Sequence, residues 1–310
     1  MNSNRRKFLK NTGTLVLGGM ALSGKAASIL GGTAKHPVGV QLFTFFNVMD
    51  ADVKDTLSKI SAAGYKEIES AFSKKGGYYG MKPKEFKAMA NGEGLAWKSH
   101  HVLGAPFKMP AGAKMPTTPD GKPMVIPPML NLRDNMQQLV DEAAEGGVSY
   151  LVCANTPTGT LAEVKSSIEV LNKTAAAAKK AGLQFAYHNH DMEFKAVDSG
   201  EIPYDLLLSE TDPMLLKMEL DLAWTIKAGK DPVAMFKQHP GRFPLWHVKD
   251  LDASRENILP VGSGTIDFKP IFAAAKIAGM QHFFVEHDMP KDAFASINSS
   301  IAFINKNINV

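Results

Sequence analysis

Carboxylates and imidazoles recur at the ends of short apolar runs in the second half of this sequence. The recurring residues are His188, His190, Glu219, Asp221, His247, Lys249 and Glu286. If the runs are strands, residues two apart point the same way, so each run presents its polar pair on one face. A single such histidine is as often a hydrogen-bonded core residue as a functional one. Four runs with polar groups at the same level indicate a site, because such groups are costly to bury unless they bind something.

Convergent Asp, Glu and His side chains suit one divalent ion, and imidazole favours Mn²⁺, Zn²⁺ or Co²⁺ over Mg²⁺. Thiolate ligation is not indicated, since Cys153 is the sole cysteine. Such an ion is a Lewis acid for a carbonyl and a hydroxyl, and it stabilises the enediolate formed when the neighbouring carbon loses a proton. This chemistry predicts a small carbohydrate as the substrate.

Alternating strand and helix patterns must position these groups. Strands are predicted at residues 38–43, 65–69, 95–101, 150–154, 183–190, 215–221, 244–249 and 282–286. Amphipathic helices are predicted at residues 52–63, 83–91, 132–145 and 162–181, each before a glycine. The first strand is not followed by Gly-x-Gly-x-x-Gly. We therefore predict a single closed (β/α)₈ TIM barrel, with the polar strand ends at its C-terminal face.

The first 27 residues differ in composition from the rest of the chain. Arg5 and Arg6 precede an apolar stretch and then small residues near Ser28, which is the order of a signal peptide. The paired arginines resemble a twin-arginine export signal. We expect residues 1–27 to be read by the twin-arginine export machinery, residues 28–35 to be a linker and residues 36–310 to form the barrel. The mature protein is then periplasmic or otherwise exported.

Composition excludes several classes of protein. The chain has 310 residues, 45% of them apolar, which is enough for a large buried core. The net charge is +4, but residues 1–27 contain five basic residues and no acidic one, so the rest of the chain carries about −1. That balance argues against a nucleic-acid partner. The sequence has no apolar run of 18 residues and no cysteine directly after the N-terminal apolar stretch, so no stable membrane anchor is predicted.

A long segment at residues 104–128, rich in Pro, Met, Lys and Gly, interrupts the strand–helix pattern after the third strand. It can act as a lid over the substrate or as a contact between copies, and the sequence does not decide between these roles. Whether the chain forms a homo-oligomer also stays open.

Four motifs resemble a known family. They are ELDLAW at 219–224, HVKD at 247–250, VGSGTIDF at 261–268 and FVE at 284–286. In sequence and spacing they are similar to the xylose isomerase-like barrel superfamily, in its sugar phosphate isomerase/epimerase branch. By itself the glycine pair of the third motif is a turn signal more often than a phosphate cradle.

The resemblance implies a metal centre. Family members hold one metal with Glu, Asp, His and Glu from strands five to eight, and the motifs carry these roles to His188, Asp221, His247 and Glu286. His188 stands where many members have glutamate. Either His188 or His190 can therefore be the ligand, and we favour His188, with His190 facing the substrate.

The same resemblance implies catalytic roles. We expect Glu286 to be one acid/base and His190 or His188 the other, with Lys249 and Glu69 holding hydroxyls or a developing oxyanion. This unsymmetrical pair suits epimerisation or isomerisation, and also elimination from an oxidised glycoside. The predicted substrate-binding residues are Glu69, His101, Trp224 and Glu193.

Two other functions share this fold. A sugar-binding barrel without catalysis would keep aromatic platforms and could dispense with the metal. An endonuclease-IV-like phosphodiesterase would need several metals and a basic groove, which the nearly neutral charge of residues 28–310 does not favour.

Overall fold

Eight parallel strands form a closed barrel in the computed structural model, which describes residues 36–106 and 129–308. The strands are β1 (Gly39–Gln41), β2 (Glu67–Ser70), β3 (Ala96–Leu103), β4 (Tyr150–Asn155), β5 (Gln184–His188), β6 (Leu216–Asp221), β7 (Leu245–Val248) and β10 (His282–Val285). Neighbours pair in chain order, and β10 closes the barrel on β1. The predicted fold class is confirmed.

One hairpin lies outside the barrel sheet. It consists of β8 (Asp250–Leu251) and β9 (Ile258–Leu259), which pair antiparallel directly after β7. It was not predicted from the sequence, because strands of two residues leave no periodic pattern.

Ten α-helices are described around the barrel. They are α1 (Val53–Ala62), α2 (Pro83–Gly92), α3 (Leu132–Gly146), α4 (Leu161–Lys180), α5 (Pro203–Ser209), α6 (Leu222–Lys227), α7 (Pro232–Gln238), α8 (Phe268–Ala273), α9 (Ala275–Ala278) and α10 (Ala293–Asn307). Within residues 36–106 and 129–308, no helix is long and apolar enough to cross a membrane.

The predicted ends of two helices are wrong by one residue. Gly92 and Gly146 are expected directly after their helices but are the last residues of α2 and α3. The left-handed backbone that glycine favours occurs slightly later, at Gly94 (φ 76°) and Gly147 (φ 63°).

Three predicted segments lie wholly or mainly outside the described residues. They are the export signal at 1–27, the linker at 28–35 and most of the long segment at 104–128, of which only residues 104–106 are described.

The buried apolar residues form two layers. The larger one lies between the helices and the outer face of the barrel. The smaller one fills the barrel interior with Val152, Ala186, Leu245 and Phe284. Two residues after each of Ala186, Leu245 and Phe284 comes a predicted site residue, so the alternation of the strands places the polar groups directly above this interior layer.

The glycine-rich motif at 262–264 surrounds a carboxylate of the chain itself. Asp250 accepts hydrogen bonds from the backbone N–H groups of Leu251 (2.9 Å), Gly262 (2.9 Å), Gly264 (2.9 Å) and Ile266 (3.1 Å). A Cβ atom at Gly264 would lie 2.4 Å from Asp250 Oδ1, so the loop closes on the carboxylate only with glycine there. The anion position of this loop is therefore filled from within the protein.

Asp250→Ala is expected to lower the free energy of unfolding by about 3 kcal/mol, because it leaves four backbone N–H groups without their buried, charged acceptor. Urea unfolding followed by circular dichroism measures the change. The matched control is Asp198→Ala at an exposed position, expected to stay within about 0.5 kcal/mol of the wild type. Equal stabilities of the two variants would show that the Asp250 hydrogen bonds contribute little.

Candidate active site

Three buried atoms converge at the C-terminal end of the barrel without an aligned hydrogen bond to any described residue. They are Asp221 Oδ2, His247 Nδ1 and Glu286 Oε2, and the three residues can each offer an atom within 4.8 Å of the others. His247 Nδ1 lies 2.6 Å from Glu286 Oε2 and 4.0 Å from Asp221 Oδ2. His188 Nε2 is also 4.0 Å from Asp221 Oδ2. Buried carboxylates this close together are costly without positive charge beside them, so this outer group, His188, Asp221, His247 and Glu286, fits a shared divalent cation.

Backbone contacts determine where Asp221 points. It ends β6 and caps α6, where its Oδ1 accepts a hydrogen bond from the backbone N–H of Trp224 at 2.9 Å. Its own N–H donates to Oδ1 of the buried Asn189 at 3.1 Å. These contacts leave Oδ2 directed at the outer group. The parallel register then places the remaining ligand candidates beside it, since Asp221 pairs with His247 across β6 and β7.

Lys249 brings a positive charge to the same oxygens. Its side chain is buried, and its Nζ lies 3.0 Å from Asp221 Oδ2, 2.8 Å from Glu286 Oε2 and 3.0 Å from Asp288 Oδ1. Burial opposes the charge, but Asp221, Asp288 and Glu286 hold the pKa of Lys249 well above its ordinary value. Burial likewise opposes ionisation of Glu286, and Lys249 and His247 outweigh it to hold the pKa of that carboxyl well below its ordinary value.

An inner group lies on the barrel-interior side of the same histidines. His247 Nε2 is 2.6 Å from Glu69 Oε1. His101 Nε2 lies between two carboxylates, 2.6 Å from Glu219 Oε2 and 3.0 Å from Glu69 Oε1. His188 Nδ1 lies 3.3 Å from Glu219 Oε2. We use "inner group" below for Glu69, His101 and Glu219.

Glu69 has no exposed surface. Besides His247, it accepts hydrogen bonds from Gln41 Nε2 at 2.6 Å and from the Ser99 hydroxyl. Burial opposes its charge, but His101 and His247 hold its pKa well below the ordinary value. Its position suits contact with His247 rather than the substrate hydroxyl that the sequence analysis assigned to it.

The candidate substrate pocket opens above the outer group and has a volume of about 350 Å³, a size typical of small-molecule sites. Phe43 and Phe72 line it after β1 and β2, whereas His190 and Trp224 line it after β5 and β6, across the barrel. The Trp224 Nε1 atom is buried and has no partner among the described residues. Aromatic walls with a free donor suit a sugar ring.

His190 is the most exposed of the predicted site histidines, with 41% of its side chain accessible. Its backbone N–H donates to Glu193 at 3.1 Å, and Glu193 also accepts from the Tyr187 hydroxyl at 2.7 Å. Glu193 is buried and does not line the pocket. It was predicted to bind substrate, but its position suits fixing the turn that carries His190.

The structure adds residues that the sequence analysis did not assign. Glu219, Asn189 and Asp288 all contact the predicted ligands or Lys249. Glu219 lies two residues before Asp221, so strand alternation signals that it shares the inward face. Asn189 and Asp288 lie beyond strand ends, where no periodicity applies.

A larger pocket, of about 490 Å³, lies beside the β8–β9 hairpin. It shares no lining residue with the pocket above the outer group, and its lining contains no histidine. We therefore place the chemistry in the smaller pocket.

Residues 57–307 match the xylose isomerase-like TIM barrel family. The chain belongs to this family, as the motifs and the barrel had indicated. Among solved structures, the barrel is similar to a sugar phosphate isomerase/epimerase from Parabacteroides distasonis ATCC 8503, with a TM-score of 0.71 and 27% identity. That similarity covers 90% of this chain and 96% of the other.

Part of the chain is also similar to an inosose dehydratase from Geobacillus thermodenitrificans (strain NG80-2), with 30% identity over 146 residues. The aligned part is 42% of this chain and 48% of that protein, so the chain matches about half the length of this relative. A structure of L-ribulose 3-epimerase, with a TM-score of 0.63 and 15% identity, shows the shared fold.

Proposed function

We propose that this protein is an exported, divalent-metal-dependent enzyme that removes a proton beside a carbonyl group of a carbohydrate and thereby isomerises or epimerises it. The observation that carries the proposal is the convergence of Asp221 Oδ2, His247 Nδ1 and Glu286 Oε2 beneath a pocket with aromatic walls. The names of two similar proteins, an inosose dehydratase and a sugar phosphate isomerase/epimerase, support carbohydrate chemistry.

The outer group, His188, Asp221, His247 and Glu286, would hold the ion, which we take to be Mn²⁺, Zn²⁺, Co²⁺ or Mg²⁺. When bound, such an ion supplies positive charge that makes a hydrogen beside a carbonyl more acidic. The donor set of two carboxylates and two imidazoles fits this class of ion.

Glu286 is the proposed base. Its pKa lies well below the ordinary value, so it is ionised at neutral pH and can accept the proton from carbon. The electron pair of the broken C–H bond moves to the carbonyl oxygen, where the Lys249 ammonium balances the developing charge. His190, on the pocket wall, returns a proton to carbon in an epimerisation or isomerisation.

The substrate is proposed to lack phosphate. The glycine-rich loop that could cradle an anion is filled by the Asp250 carboxylate. Among the described residues that line the pocket, Lys249 is the only Lys or Arg, and three carboxylates already surround it. Export, if residues 1–27 act as predicted, would also place the enzyme where unphosphorylated sugars occur.

A second candidate reaction is elimination from an oxidised glycoside. Glu286 again removes the proton beside the carbonyl, a carbon–carbon double bond forms, and the C–O bond to the leaving group breaks while His190 protonates the departing oxygen. Dehydration is an elimination, so the similarity to an inosose dehydratase favours this candidate. The difference between a carboxylate and an imidazole suits the two different proton transfers.

Deuterium incorporation tests both candidates. The purified protein is loaded with Co²⁺ or Mn²⁺, and ketoses and keto-glycosides are incubated with it in D₂O. Mass spectrometry then detects deuterium on carbon, and chromatography detects a released alcohol. Exchange without release supports isomerisation or epimerisation, and release supports elimination. If the loaded protein binds sugars but gives neither result, and binding survives chelation, the protein is a sugar-binding barrel and the proposal is wrong.

Trp224→Leu is expected to raise KM about 5- to 10-fold with little change in kcat, because it removes a ring platform and the free Nε1 donor. Trp224→Phe keeps a ring and is expected to show a smaller increase. Steady-state kinetics on the substrate found above measure both. Unchanged KM in Trp224→Leu would place the sugar elsewhere in the pocket.

A further inference from the structure

His188 and His247 each face two groups of possible ligands. Towards the outer group, His188 Nε2 faces Asp221 and His247 Nδ1 faces Glu286. Towards the inner group, His188 Nδ1 faces Glu219 and His247 Nε2 faces Glu69. A neutral imidazole has one lone-pair nitrogen and one N–H. Two ions, one in each group, would require both rings to lose their remaining proton. The geometry therefore permits one ion with neutral rings, and the opposite nitrogen of each ring must donate a hydrogen bond.

The two nitrogens of His247 face different carboxylates. Nε2 is bonded to Glu69 at 2.6 Å, whereas Nδ1 has no aligned partner in the described part of the chain. Nδ1 lies 2.6 Å from Glu286 Oε2, so with an ion in the outer group the Nδ1 lone pair would face that ion, and the remaining ring proton would be on Nε2, donated to Glu69. His188 differs in one respect: its Nε2 lies 4.0 Å from Asp221 Oδ2, but its buried Nδ1, 3.3 Å from Glu219 Oε2, is not aligned for a hydrogen bond. We infer that the bond from Nδ1–H to Glu219 forms when an ion takes the Nε2 lone pair.

His101 joins the two inner carboxylates. Its Nε2 is 2.6 Å from Glu219 Oε2 and 3.0 Å from Glu69 Oε1, so a single ring contacts the partners of both His188 and His247. This shared contact fixes the two carboxylates relative to each other and to the rings of His188 and His247.

We propose that Glu69 and Glu219, joined by His101, are positioning residues that fix the tautomer and ring orientation of His247 and His188 for a divalent ion held by the outer group. This inference rests on the proposed function only in that an ion binds there. A carboxylate that accepts the far N–H of a metal-binding histidine typically changes metal affinity about 10–100-fold when it is lost.

The test uses Co²⁺, whose visible spectrum reports ligand geometry. Wild type, Glu219→Gln and Asp221→Asn are stripped with a chelator, then titrated with Co²⁺ by calorimetry and absorption. The matched control is Glu67→Gln, which alters a buried glutamate on β2 that contacts His282 at 2.7 Å and Lys98 at 3.4 Å, neither of which belongs to the outer or the inner group. His101→Gln is a second variant in case Glu219→Gln does not fold, as judged by circular dichroism.

We expect one ion per chain in the wild type and in Glu67→Gln with equal Kd. Glu219→Gln and His101→Gln are expected to raise Kd about 10–100-fold and to alter the Co²⁺ spectrum. Unchanged Kd and spectrum in both would overturn the inference. Loss of the ion from Glu219→Gln with retention in Asp221→Asn would overturn it too, because the ion would then belong to the inner group.

The two proposals fail in different ways. Wild-type protein that binds no Co²⁺ contradicts both. Co²⁺ binding with the expected variant responses, but without proton exchange or elimination on any sugar, contradicts only the proposed function.

Discussion

Glu286→Gln is expected to lower the rate of deuterium incorporation into substrate by at least about 10³-fold, within the range that a general base contributes. The amide has nearly the same shape as the carboxylate but cannot accept a proton at neutral pH. The pKa of Glu286 in the wild type lies well below its ordinary value because of Lys249 and His247, which outweigh burial, so the loss is expected across the neutral range. Mass spectrometry of sugar incubated in D₂O measures the rate.

Metal content must be determined in the same samples, because Glu286 is also a proposed ligand. Assays at saturating Co²⁺ separate loss of the base from loss of the ion. The matched control is Glu169→Gln, an exposed glutamate on α4, which is expected to retain the wild-type rate. A Glu286→Gln variant that holds its ion and keeps more than a tenth of the wild-type rate would remove Glu286 from the role of base.

Asp221→Asn is expected to weaken divalent-metal binding by more than about 100-fold, since a direct ligand should matter more than the positioning contacts around it. The substitution is chosen because its amide oxygen can still cap α6 through the Trp224 N–H, so the local fold is retained. Elemental analysis after dialysis against a metal buffer measures the loss, and circular dichroism checks the fold.

Asp198→Asn, at an exposed position, is the control and should retain the wild-type metal content. If folded Asp221→Asn protein also retains it, the ion does not bind the outer group.

The strand–helix alternation predicted the barrel because each unit carries its own periodic pattern and a helix stop. Strand ends were less accurate. The first strand was predicted to run over residues 38–43, but it ends at Gln41, and Leu42–Phe45 forms a 3₁₀ helix. A single apolar turn after a strand has the same composition as the strand, so the sequence does not separate them.

The convergence of Asp221, His247 and Glu286 was also predictable, because all three come from strand ends in a parallel barrel. The depth of each polar side chain within the barrel was not predictable. Glu69 and Glu193 were assigned to substrate, yet neither reaches the pocket. Depth depends on the tilt and stagger of neighbouring strands, which follow from closure of the whole barrel rather than from residue spacing.

The buried ammonium of Lys249 has a consequence for the order in which the chain folds and binds metal. Its single positive charge offsets part of the negative charge of Asp221 and Glu286, which helps the polypeptide to reach its native state before it encounters any metal. Folding and metal acquisition are then separate events, and an apo form should be an ordinary, long-lived species. An ion that binds afterwards competes with the Lys249 ammonium for these carboxylates, which favours reversible rather than permanent metal binding.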